Sequence, residues 1–235
     1  MKNLKFPAAA ALVIATSILS LPAAAQVTVG TATPDNGNCY PIGCANGYSR
    51  YQQVYTANAF SSAFNIRSFA FFHTAAQPGI GQVSPGTYSV FFGTTTKSVN
   101  GLSTTFAANN TSALSLFATL IVPENTSAAP ATFSIDGSTP FLYNPSAGNL
   151  LLDIQYSNTS AAIKTFFDMD FSGSGQVSRA YGTGTVGAAD NNGLVTRFSS
   201  SVTTTTTPEP GSLVLLGAGL AGTIVFVRRR RISAS

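Results

Sequence analysis

The chain has 235 residues with twelve Lys and Arg against eight Asp and Glu, a formal net charge of +4. Residues 26–207 nevertheless carry six basic residues against seven acidic ones, a net −1, so the middle is no polycation and a nucleic-acid role is excluded. Charged residues make up only 9%, against about 25% in an ordinary soluble domain, which describes an uncharged polar surface of the kind common outside the cytoplasm.

The chain opens on the basic stretch Met1 to Lys5, followed by the apolar run Phe6 to Leu21. Pro22-Ala23-Ala24-Ala25 then supplies an A-x-A cleavage site, and the pattern predicts a signal peptide over 1–25, cut between Ala25 and Gln26. The apolar run is short for a membrane span and ends in small residues suited to a peptidase pocket. No Cys follows the cut, which disfavours a lipid anchor, and no Arg pair marks export of a folded chain.

Residues 26–202 read as an all-β ectodomain with the pattern of a β-sandwich or jelly roll. Cys39 and Cys44 form an even pair in an exported chain and predict a disulfide that pins the N-terminal loop. Strands are expected over Phe64 to Phe72, Thr87 to Phe92, Leu114 to Val122, Leu150 to Tyr156, Ile163 to Phe171 and Leu194 to Ser200. The Leu114 run is also compatible with a short helix. Turn signals separate them at Gln77-Pro78-Gly79, Ser84-Pro85-Gly86, Asp136-Gly137, Tyr143-Asn144-Pro145 and Asn191-Asn192-Gly193. Alternation in the fifth run places Ile163, Phe167, Met169 and Phe171 on one face and Lys164, Asp168 and Asp170 on a solvated one.

Candidate chemistry is sparse. His73 is the sole histidine and has no G-x-S-x-G context for a triad, so it reads as a rim or core residue. Asp168 and Asp170, with Asp153 as a third oxygen donor, are a candidate Ca²⁺ group, although a solvated strand face explains them more simply. No other metal and no cofactor is expected, since one His and two Cys make a poor zinc site. Tyr48, Tyr51 and Tyr55 are candidate exposed platforms for a sugar, a reading weakened by the absence of Trp.

A Thr-rich linker follows at 203–207, then Pro208-Glu209-Pro210, the apolar run Gly211 to Val227, and Arg228, Arg229, Arg230 and Arg231. As a helix the run would be about 25 Å long, near the lower limit for a bilayer. The prolines mark its start, and the arginines place the C-terminus in the cytoplasm. In order and position these elements resemble the PEP-CTERM sorting signal, here over 208–231. Arg50 to Tyr55 and Tyr143 to Asp153 are also similar to stretches of PEP-CTERM surface proteins. The resemblance implies a Gram-negative, exopolysaccharide-producing host and processing by signal peptidase and then exosortase. It also implies an intermediate held in the inner membrane through 211–227, and delivery to the cell surface or matrix. The expected function is that of a non-enzymatic surface or matrix protein associated with exopolysaccharide. The alternatives are a carbohydrate-binding module and, behind it, a polysaccharide hydrolase using Asp153, Asp168 or Asp170.

Overall fold

Alternation in the sequence becomes three antiparallel sheets in the computed structural model, which describes residues 25–201 apart from 35, 75–80, 125–126, 160, 162 and 172. In chain order the strands are β1 (Gln26–Val29), β2 (Gly37–Asn38), β3 (Arg50–Tyr55), β4 (Phe64–Phe72), β5 (Gly86–Thr95), β6 (Ser115–Val122) and β7 (Thr132–Tyr143). They continue as β8 (Asn149–Asn158), β9 (Phe167–Asp170), β10 (Val177–Thr183), β11 (Val186–Asp190), β12 (Gly193–Leu194) and β13 (Thr196–Ser199). The domain is all-β, and the helical turns among the described residues are three short 3-10 segments.

One sheet has the order β1-β13-β4-β7, a second β11-β10-β3-β8-β5-β6, and a small third β12-β9-β2. Aromatic rings join the first two. Phe198 of β13 lies 4.9 Å from Tyr55 of β3 and 6.1 Å from Phe92 of β5, between ring centroids. Phe69 of β4 stands 5.6 Å from Phe92, and most of these contacts are edge-to-face or tilted, the arrangements that ring quadrupoles favour.

The unbroken Leu150-Leu151-Leu152 run follows from burial on both faces of β8. Leu150, Leu152 and Ile154 enter the main core, while Leu151 packs with Val54, Leu102, Phe106 and Ala180 beneath the chain joining β5 to β6. The Leu114 run, read as strand or short helix, is a strand, β6.

Three expectations are corrected by packing. Asp136-Gly137 is a bulge inside β7, not a turn between strands: Ile66 pairs with Phe141 and Ser68 with Asp136, so residues 137–140 stand opposite Arg67. Gly137 permits this because a Cβ there would lie 2.3 Å from the Phe117 ring, and Pro140 has no N–H to give a ladder. The run Ile163 to Phe171 shortens to β9, with Ile163 and Phe171 exposed and Asp170 buried. The run Leu194 to Ser200 divides at Val195 into β12 and β13, which belong to different sheets.

Replacing Phe198 with Ala removes a ring that touches both large sheets, and should cost about 3–5 kcal/mol. Urea unfolding will show a lower midpoint with an unchanged slope.

Candidate functional site

The first and last described segments of the domain lie side by side in the four-stranded sheet. Gln26 pairs with Ser199 across β1 and β13. Beyond that pair the Ala25 N–H donates to Ser200 Oγ at 3.0 Å, and the Ser200 N–H donates to the Ala25 carbonyl at 3.0 Å. The Ser201 carbonyl accepts from Ser68 Oγ of β4 at 2.7 Å. Ala23 and the rest of the leader, the 203–207 tract, Pro208, Glu209, Pro210, the 211–227 run and Arg228 to Arg231 lie outside the described residues. Among the described residues no helix is long and apolar enough to cross a membrane.

Cys39 and Cys44 are joined in a disulfide with Cα atoms 5.3 Å apart. The loop it closes docks on the chain before β9. A Cβ at Gly43 would stand 1.9 Å from the Thr165 carbonyl oxygen, so only glycine allows this approach.

Of the three tyrosines read as exposed platforms, Tyr51 and Tyr55 are fully buried and Tyr48 is half-buried. The reason is register. Residues 51, 53 and 55 of β3 share the face turned to the core, where Tyr51 bonds Gln53 Oε1 and Tyr55 bonds Thr196 Oγ1 at 2.9 Å. Burial raises both phenols far above 10.0, and raises Tyr88 and Tyr143 to about 12.

The acids are engaged by protein groups. Asp153 is fully buried and takes Arg50 bidentately, with Nη2 donating to Oδ2 at 2.6 Å and Nε to Oδ1 at 3.2 Å, plus a hydrogen bond from Gln52 Nε2. Asp170, expected on a solvated face, is fully buried; its Oδ2 accepts from the Thr31 N–H at 3.0 Å and from Ser174 Oγ at 2.6 Å. Asp168 is half-buried beside Thr74 and His73, and burial raises its carboxyl, opposed by the Thr74 hydrogen bond and the His73 charge. Among the described residues no three His, Cys, Asp or Glu side chains gather as metal ligands, and the candidate Ca²⁺ group is not assembled.

What the linear sequence did not reveal is a second aromatic assembly. Tyr40, Tyr48 and Tyr181 have ring centroids 5.4 to 5.5 Å apart. The Arg179 guanidinium lies 4.9 Å from the Tyr181 ring and 5.9 Å from that of Tyr40, and is fixed bidentately by Asp190 at 3.0 Å. Arg179 is 7% exposed, and its Nη1 is buried without a hydrogen-bond partner among the described residues. The hints in the sequence are Tyr48, read as a platform, and the spacing of Arg179 and Tyr181, two apart on one strand face.

Residues 206–231 match the PEP-CTERM protein-sorting motif. The chain carries a PEP-CTERM sorting signal. Such a signal marks an exosortase substrate, exported through a membrane-anchored intermediate to the cell surface or beyond. No curated protein and no solved structure matches the chain. The PEP-CTERM motif begins five residues after Ser201, directly beyond the paired ends of the domain.

Buried tyrosines give this PEP-CTERM protein a defined alkaline limit. Unfolded tyrosine titrates near 10.0 while Tyr88 and Tyr143 hold their protons to about 12, so the unfolded chain ionises first. Stability is therefore level on the neutral side of pH 10.0 and falls as pH rises from there toward 12. Thermal melts across that interval, followed with tyrosinate absorbance, will show melting temperature dropping as unfolding and ionisation coincide.

Proposed function

We propose that this is a non-enzymatic surface or matrix protein of an exopolysaccharide-producing Gram-negative cell, built on a β-sandwich ectodomain over 26–202. Signal peptidase cuts between Ala25 and Gln26. The apolar run 211–227 holds the intermediate in the inner membrane, and exosortase then cuts near Pro208-Glu209-Pro210, removing Arg228 to Arg231. The mature protein associates with exopolysaccharide.

The PEP-CTERM match at 206–231 carries the sorting part of this reading. The pairing of Ala25 with Ser200 supports it further, because the two ends of the described domain lie side by side. Seven peptide units separate Ser201 from Pro208, at most roughly 25 Å of chain, so the sorting cut falls close to the folded domain. Commitment of Asp153 to Arg50 and Gln52, and of Asp170 to Thr31 and Ser174, supports a structural rather than hydrolytic use of the acids.

Mass spectrometry of the surface-exposed protein is expected to find Gln26 at the N-terminus and a C-terminus near Pro208-Glu209-Pro210. Surface-exposed protein that retains Arg228 to Arg231 would overturn the sorting scheme. Deleting Arg228 to Arg231 should leave unprocessed protein in the membrane fraction, as seen by immunoblot.

A further inference from the structure

Three elements distant in sequence deliver the Tyr40, Tyr48 and Tyr181 rings to one place on the surface. Tyr40 sits in the disulfide loop, Tyr48 precedes β3, and Tyr181 belongs to β10. All three are half-buried. Packing alone would be served by aliphatic side chains; tyrosine adds a hydroxyl and a flat face that works at a wet surface. The assembly is also fixed in advance of any ligand. Asn38 Oδ1 accepts the Tyr40 N–H at 3.3 Å, the disulfide closes the Tyr40 loop, and Arg179 is locked by Asp190 against two of the rings. Such preorganisation lowers the ordering cost of binding.

Charge selects the ligand class. Arg179 and Asp190 cancel, so the patch is neutral, and residues 26–207 together carry −1. Neither property attracts a polyanion. A neutral pyranose meets the chemistry instead: its C–H face stacks on an aromatic ring, and its hydroxyls bond phenols and a carboxylate. Tyr40 and Tyr181 stack on each other at 27°, whereas Tyr48 meets both steeply, at 69° and 60°, and has no stacked partner among the described residues. We infer that the Tyr40–Tyr48–Tyr181 patch binds a neutral polysaccharide, with Tyr48 as the stacking platform. The site gives the exopolysaccharide association proposed above, on which this inference rests, a place and a ligand class.

The mature protein, purified from the surface of producing cells, is run in native affinity gels containing dextran, xylan, mannan, a soluble β-glucan or alginate. At least one neutral gel is expected to retard it, at low and high salt alike. Tyr48→Ala should weaken that retardation about tenfold while the β-sheet circular dichroism of the folded domain is kept, and Tyr48→Phe should retain most of the retardation. Retardation in alginate only, in no gel at all, or to the same degree in Tyr48→Ala overturns the site. Cell fractionation separates this outcome from the parent reading. Protein found in the matrix but indifferent to Tyr48→Ala refutes the patch and leaves the matrix role standing. Protein that binds a neutral gel through Tyr48 yet is absent from the matrix refutes the role and leaves the patch.

Discussion

The strand on which the structure depends is the last one, β13, because it is an interior strand. Its four residues pair with β1 on one side and β4 on the other, and Phe198 reaches from it into the core shared with the six-stranded sheet. Remove β1 and β13 becomes an edge; remove β13 and β1 has no neighbour. The first and last segments of the ectodomain therefore complete one sheet together. A contact spanning nearly the whole domain is closed late, because the entropy of ordering the intervening chain must be met first. β1 has no strand partner until the chain as far as Ser199 is present. Immediately behind it comes the segment that carries the sorting motif. The strand that completes the sheet and the sorting motif are thus near neighbours in the chain.

A second constraint is polar. The stretch Arg50-Tyr51-Gln52-Gln53-Val54-Tyr55 sends successive side chains to opposite faces, and its two glutamines are both fully buried. Gln53 faces inward and clamps β12, donating to the Leu194 carbonyl at 2.8 Å and accepting from the Leu194 N–H at 2.8 Å. Gln52 faces outward, bonding Asp153, the Phe106 carbonyl and Asn109, whose amide donates to Gln52 Oε1 at 2.9 Å. Asn109 in turn caps the Ser103 N–H at 2.7 Å. One strand thereby anchors the small sheet on one side and the β5–β6 connection on the other. Buried amides unpaired would each cost about 1–3 kcal/mol, so these partners hold the two connections in a single arrangement.

Much of the fold was legible because burial on one face writes a period of two. The run Phe64 to Phe72 gives β4 with the same limits, and the Leu150 run gives the middle of β8. Asn144-Pro145 opens a 3-10 turn capped by Asn144 Oδ1, in keeping with its turn chemistry. Elements rich in small residues were not legible. In β10 and β11 the residues Ala180, Gly182, Gly187, Ala188 and Ala189 give almost no contrast between faces, and pairing rather than side-chain burial defines them. Buried polar atoms misled in the other direction. Asp170 and the phenols of Tyr51 and Tyr55 read as surface groups in one dimension, yet each is supplied with a hydrogen-bond partner inside. The Tyr40–Tyr48–Tyr181 patch lay beyond any linear pattern, because Tyr181 reaches the others only through the register of β10 against β3.

Charge follows the same division between address and domain. Lys2, Lys5 and the four terminal arginines are outside residues 26–207, the arginines within the sorting motif at 206–231. Inside the domain Arg50 and Arg179 are spent on Asp153 and Asp190, and Arg197 lies over the Phe72 ring at 5.0 Å. Half of the six ectodomain cations are thus held against internal partners. What remains for recognition is mostly hydroxyl, amide and aromatic, and such groups act by hydrogen bonding and stacking. Interactions of that kind change little with ionic strength, because Debye screening acts on charges. A surface of this composition keeps its contacts outside the cell, where salt is set by the surroundings rather than by the cell itself.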